Sequence, residues 1–187
     1  MKAPARLLLL ALALAGCRAA PDAENIAAGN EAKPVAAVAP ERTLPALTGR
    51  VVDMANLLTL AEETALTGEL AALEARTTDQ LVIVTTQSLG GEPIAAYARR
   101  LGNGWRIGQA DKANGVLIIV APAEQQTRIH VGYGLEPILT NARAAEIIRQ
   151  DMVPHFRESR WLAGIEGGTR AVIATLVAHE REPRRGR

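Results

Sequence analysis

Apolar residues run along the 187-residue chain in three rhythms, and each rhythm names a different kind of element. The first is one unbroken block, Leu7 to Ala15, behind the cations Lys2 and Arg6. A helix that crosses about 30 Å of hydrocarbon needs about 20 such residues, so this block is too short to stay in a membrane and reads as the core of a cleaved signal peptide. The second rhythm is the short continuous run. Leu81-Val82-Ile83-Val84-Thr85-Thr86 and Val116-Leu117-Ile118-Ile119-Val120 predict strands covered on both faces. Thr127 to Tyr133 alternates with period two and predicts a third strand, joined to the second by a short hairpin at Pro122-Ala123-Glu124-Gln125. The third rhythm is the helical stripe. Leu66, Leu70 and Leu73, behind a capping box at Thr59 and Glu62, predict a helix over 60–76. Ile94, Tyr97, Ala98 and Leu101 predict a second helix, opened by Pro93 and broken at Gly102-Asn103-Gly104. Ala144, Ile147, Ile148 and Met152 predict a third, capped by Thr140 or Asn141 and stopped at Pro154. Leu162, Ile165, Val172, Ile173, Leu176 and Val177 share one side of the last, with Glu166 and Arg170 on the other.

The resulting order is helix, strand, helix, strand, strand, helix, helix. Buried strands need helices on both faces, so this order implies an α/β fold, a three-layer α/β/α sandwich around a small mixed sheet. The organisation predicted is a signal peptide at 1–16, a flexible tether at 17–43, one α/β domain at 44–178 and a polar tail at 179–187. The tether is rich in Ala, Pro and Asn and has no apolar period. As a flexible coil it would span roughly 25–30 Å, enough to hold the domain clear of lipid head groups.

Composition adds an anchor and removes several function classes. The only cysteine is Cys17, so no internal disulfide forms and stability must come from packing. Leu14-Ala15-Gly16-Cys17 resembles the lipobox of bacterial lipoproteins, in which small residues fit the signal peptidase and the cysteine takes a diacylglyceryl group. That resemblance implies acylation of Cys17 by palmitate-type chains, and export as a lipoprotein facing the periplasm or cell exterior, on the outer membrane in a Gram-negative cell. There are 21 Lys and Arg against 20 Asp and Glu. Loss of Lys2 and Arg6 with the signal leaves a net charge of −1, which gives nucleic acid no electrostatic footing. Gly104 to Gly108 lacks the lysine of a phosphate loop, and Gly132-Tyr133-Gly134 has Pro137 where a dinucleotide fingerprint needs its third glycine, so no nucleotide is expected. Ser88 and Ser159 lie in no nucleophile elbow. His130, His155 and His179 have no paired-ligand spacing for zinc.

Three segments read as loops at the ends of strands: Val51-Val52-Asp53, the stretch Gln109 to Gly115, and Gly132 to Ala142. Trp105-Arg106-Ile107-Gly108, Asn114-Gly115-Val116-Leu117, Gly132-Tyr133-Gly134-Leu135-Glu136 and Leu139-Thr140 stand in an order and spacing that resembles the TPM-domain family, from about Leu44 to Leu176. That family includes thylakoid-lumen photosystem II repair proteins, a nematode acetylcholine-receptor auxiliary protein and many bacterial envelope proteins. The resemblance implies an α/β/α domain. It implies two kinds of function: calcium-binding acid phosphatases in some plant members, and partner binding alone in others.

The family's acidic cluster usually carries Asp-Asn-Gly before the second strand and Leu-Thr-Asp after the third, and this chain has Ala113 and Asn141 at those aspartates. The metal set that the resemblance leaves is Asp53, Asp111, Asn114, Glu136 and Asn141. Calcium takes six to eight oxygens and its affinity follows carboxylate charge, so such a site would hold Ca2+ weakly. Phosphoryl transfer depends more heavily on that charge. Each residue also has a plain structural reading. Asp53 caps a turn, Asp111 and Lys112 form a solvated loop pair, Asn114-Gly115 is a turn dipeptide, and Glu136 pairs with Arg128 or Arg143. Trp105 reads as a core or edge aromatic, and His130 as a structural histidine. The function expected is a membrane-tethered envelope lipoprotein that binds envelope proteins without catalysis or with weak metal binding. The alternatives are a divalent-metal-dependent phosphatase and a purely structural envelope component.

Overall fold

The computed structural model describes residues 43–181. The signal peptide, Cys17, nearly all of the tether and the end of the polar tail lie outside the described residues. The chain forms β1 (Val51–Asp53), α1 (Leu60–Thr77), β2 (Gln80–Thr85), α2 (Ile94–Trp105), β3 (Gly115–Ala121) and β4 (Gln126–Val131). A 3-10 turn (Tyr133–Leu135) leads to α3 (Asn141–Ile147), a π-helical turn (Ile148–Met152), α4 (Val153–Arg157) and α5 (Trp161–Arg181). The sheet order is β1-β2-β3-β4; β1, β2 and β3 are parallel and β4 is antiparallel to β3. This is the mixed α/β sandwich that the hydrophobic pattern implies.

Side-chain alternation divides the core in two. Leu81 and Ile83 of β2 and Val116, Ile118 and Val120 of β3 face α1, α3 and α5. Val82 and Val84, with Leu117, Ile119 and Ala121, face α2. On α1, Leu66, Leu70 and Leu73 are all buried, and the capping box is complete, with the Thr59 N–H donating to Glu62 Oε2 at 2.7 Å. The helix closes at Thr78 in a left-handed conformation.

Three expectations are corrected. Val51–Asp53 is a paired edge strand, not only a loop before α1; three residues are too few to display a period. The second helix does not break at Gly102-Asn103-Gly104 but runs to Trp105. Gly102 lies where α2 crosses the sheet, and a Cβ there would stand 3.3 Å from Leu117 Cδ1, so the glycine serves close packing. The third helix does not stop at Pro154. The Val153 N–H bonds to the Ile148 carbonyl five residues back, and this wide turn lets the helical path restart as α4 with the proline in its first turn.

The two parallel crossovers have opposite hands, because both step the same way along the sheet while α1 and α2 cover opposite faces. Odd residues of β2, which face α1, aim their hydrogen bonds at β1, as in Ile83 N to Arg50 O at 2.8 Å. The next even position past the strand aims at β3, as in Thr86 N to Val120 O at 2.9 Å. For L-residues this polarity puts β1 to the right of β2 when the strands run upward and α1 faces the viewer. The path β1–α1–β2 is therefore left-handed, an arrangement found in only about 2% of such units.

Candidate functional site

At one end of the sheet two loops are stitched together backbone to backbone. The Gly132 N–H donates to the Gly115 carbonyl at 2.7 Å, and the Gly134 N–H to the Ala113 carbonyl at 3.1 Å. A Cβ on Gly132 or Gly134 would collide with the carbonyls of Ala113 or Lys112, so only glycine permits this approach. Beneath the loops, Asn114 is buried and its amide is fully engaged. Its Oδ1 accepts from the Gln109 N–H at 2.8 Å, and its Nδ2 donates to the Thr78 carbonyl at 2.8 Å and to Asp79 Oδ1 at 3.1 Å. Gln80 continues the network, accepting from the Gly108 N–H at 2.8 Å and donating to Glu74, which also pairs with Arg50 at 2.6 Å.

The five residues of the expected metal set do not meet. Asp53 ends β1, level with Thr85 and hence with Val120, whereas Asn114 precedes the first residue of β3. Six residues of extended strand separate those levels, roughly 20 Å at 3.3 Å per residue. Asp53 instead caps its own loop: one oxygen accepts from the Leu58 N–H at 2.8 Å and the other from the Thr85 hydroxyl. Asp111 is exposed on the 109–112 turn beside Lys112, whose Nζ reaches Thr78 Oγ1 at 3.1 Å. Only Glu136 and Asn141 share a cavity, with Ala113 on its wall. With the Asn114 amide engaged and Asp53 at the far end, the residues present do not fit a calcium ion, which needs six to eight oxygens. Among the described residues, no group of three or more His, Cys, Asp and Glu side chains is arranged to hold a metal.

The cavity that does form lies between α2 and β4 and has a volume of about 380 Å³. Its polar lining is Arg99 from α2, Arg128 and His130 from β4, and Tyr133, Glu136 and Asn141 from the segment that follows. Alternation explains the β4 pair: Ile129 and Val131 pack into the core shared with α1, α3 and α5, so Arg128 and His130 turn to the other face, toward α2. Burial holds the His130 imidazole below the ordinary histidine range, Arg128 and then Arg99 push the same way, and Glu136 opposes them. Arg128 Nε is buried without a hydrogen-bond partner. Glu136 makes no ion pair among the described residues, because Arg143 pairs with Glu146 at 2.8 Å and Arg128 stays free of carboxylate. Tyr133 is 83% exposed. The arrangement can bind an anion through two guanidiniums, and it contains no activated nucleophile.

Sequence reasoning missed Arg99 as a site residue and assigned Arg128 only to an ion pair. The signal for Arg128 was the alternation of β4, which puts residue 128 on the face of His130. A second cavity, about 510 Å³, lies at the opposite end of β3 and β4 against Phe156, Trp161, Gln125, Gln126 and Arg157.

Residues 51–175 match the family model described as the TPM domain, TPM phosphatase. Among solved structures, the N-terminal domain of a protein from P. gingivalis is 31% identical, with 71% of this chain and 84% of that one covered at a TM-score of 0.66. The N-terminal domain of the cg2496 protein from Corynebacterium glutamicum is 14% identical, with coverage of 71% and 83% and a TM-score of 0.55. The BA42 protein from the psychrophilic Bizionia argentinensis is 18% identical, with coverage of 65% and 83% and a TM-score of 0.58. The last two likenesses speak to fold alone. No protein of curated function matches. The family match takes in the whole sheet, the cleft and most of α5, and the chain belongs to the TPM-domain family.

Proposed function

We propose that this chain is a lipoprotein tethered through Cys17, whose TPM domain binds envelope partners and does not hydrolyse phosphate esters. The observation that carries the reading is the fate of the acidic set. Asn114 is a buried structural staple and Asp53 caps a loop at the far end of the sheet, so Glu136 and Asn141 are left with too few donors to position a catalytic divalent ion. The short apolar block, the lipobox-like Leu14 to Cys17 and the polar stretch behind them support the anchor. No helix among the described residues is long and apolar enough to cross a membrane. Stable attachment then rests on acyl chains, at about 0.8 kcal/mol per buried methylene, with two or more chains needed.

Two measurements test the two halves of this reading. The purified mature protein, given a generic phosphomonoester with calcium, magnesium or manganese, is expected to turn over no faster than in metal-free buffer. Metal-dependent hydrolysis that Glu136→Gln abolishes would instead establish the phosphatase reading, which the family's name favours. Cys17→Ser is expected to move the protein from the membrane to the soluble fraction, and its retention on membranes in high salt would sink the anchor. Crosslinking in intact membranes followed by capture identifies the envelope partner.

A further inference from the structure

We infer that the second cavity, at the β3–β4 hairpin end of the sheet, is a saccharide-binding site that takes a pyranose ring. Its volume of about 510 Å³ is in the range that small-molecule ligands occupy, and it lies past the carboxyl end of β3, the side on which ligands of open α/β sheets bind. One wall is aromatic. Phe156 and Trp161 stand with ring centroids 5.4 Å apart, and Phe156 packs against α5 at Gly164, where a Cβ would collide with its ring. Both rings are partly buried against the main core, so the platform is built before a ligand arrives and little freedom is lost in ordering it. The other wall is polar and nearly uncharged: Gln125 and Gln126 from the hairpin, Ser159 from the turn between α4 and α5, and Arg157 as the one charged side chain of the lining. None of these four side chains has a hydrogen bond or ion pair among the described residues.

That donor set selects for hydroxyl groups. A carboxamide donates from its nitrogen and accepts at its oxygen, as a sugar hydroxyl does, whereas a polyanion would call for more than one cation and a divalent metal for carboxylates that the lining lacks. A pyranose carries hydroxyls around its edge and C–H bonds on its faces, so a face rests on the aromatic wall while the edge meets the amides. Arg157 adds a preference for a sugar that bears a carboxylate. Gln125 and Ser159 both have positive φ, 53° and 56°, a backbone that glycine adopts without strain. Each side chain is thus held at a cost to the fold, and a glycine in its place separates the two roles: stability rises while ligand binding falls. The site goes beyond the proposed function and does not depend on it, since it lies at the opposite end of β3 and β4 from Glu136 and Asn141.

The test is an NMR titration of the whole purified chain, whose two tryptophans supply the reporters. The Trp161 indole lines the cavity, and the Trp105 indole, which donates to the Pro45 carbonyl at 2.9 Å, is the internal control. The probes are chitobiose, which is neutral, and glucuronic acid, which carries a carboxylate. Both are expected to shift the Trp161 indole saturably, with dissociation constants of about 1 mM, and to leave the Trp105 indole in place. Gln126→Ala should weaken both sugars about threefold. Trp161→Ala, followed at the Thr127 amide, should weaken both about tenfold, and Trp161→Phe should recover most of that loss. Arg157→Gln should weaken glucuronic acid about tenfold and leave chitobiose unchanged. Gln125→Gly is expected to raise the thermal midpoint by about 2–4 °C while weakening both sugars. Gln125, Gln126 and Arg157 are exposed, so their variants fold even if Trp161→Ala does not. Binding of chitobiose alone keeps the saccharide site and removes the role of Arg157. The site is overturned if neither sugar saturates, if the Trp105 indole moves equally, or if Gln125→Gly and Gln126→Ala leave both affinities unchanged. Tighter saturation by the capped dipeptide acetyl-Gly-Phe-amide than by either sugar would make the cavity a peptide groove and overturn the assignment as well.

Discussion

Asn114 carries more of this domain's stability than an exposed turn residue would. Its amide serves three partners while almost wholly buried. Asn114→Ala strands the Thr78 carbonyl and the Gln109 N–H, and is expected to lower stability by about 2–4 kcal/mol in urea unfolding. Asn114→Asp should be no milder, because it turns an acceptor toward the Thr78 carbonyl and the Asp79 carboxylate. Its neighbour Ala113 has φ 47°, a left-handed conformation that an alanine adopts only under strain. Ala113→Gly is therefore expected to stabilise the fold by about 1 kcal/mol, read as a rise in the thermal midpoint. The family's aspartate at that position is easier in such a backbone, quite apart from any metal. His130 gives the residue scale its pH dependence. Folding favours the neutral imidazole through burial and the two arginines, against Glu136, so below the ordinary histidine value the unfolded chain holds a proton that the native one lacks. Stability attributable to His130 falls as pH drops through that window and levels off below the lowered value. Urea midpoints from about pH 7 to pH 5 should fall less steeply in His130→Gln.

Elements with a long stripe or a long apolar run were legible, and those shaped by contacts were not. The Leu66, Leu70 and Leu73 stripe and its capping box gave α1 nearly residue for residue, and the two buried runs gave β2 and β3. Three residues of β1 carry no period, so its pairing with β2 had to be seen. The end of α2 and the passage through Pro154 depend on a close helix–sheet approach and a π turn, both tertiary in origin. At the site, Gln109–Gly115 and Gly132–Ala142 were legible as loops, yet sequence order could not say that Asp53 and Asn114 lie at opposite ends of the sheet. The loop stitching makes its own prediction. Gly134→Ala drives a methyl into the Lys112 carbonyl, and is expected to destabilise the domain by more than about 2 kcal/mol and to shift the amides around the cleft.

On the scale of the whole molecule, the left-handed path through β1, α1 and β2 bears on when each part is secured. The β2–α2–β3 unit has the common hand and β3–β4 is a tight hairpin, so both close from nearby sequence. The α1 helix packs into one core with α5, which lies at the opposite end of the domain in sequence. Its seat is therefore incomplete until the last helix arrives. Val51→Ala is expected to speed unfolding and leave refolding almost unchanged in stopped-flow kinetics, whereas Ile118→Val slows refolding. Within the domain, the first strand and helix are therefore expected to lock last. Were the chain exported as proposed, such a delay would have a use: the leading segment of the domain would have no finished partner to fold against while the rest was being threaded through a translocation pore, and would stay slack until the final helix had crossed.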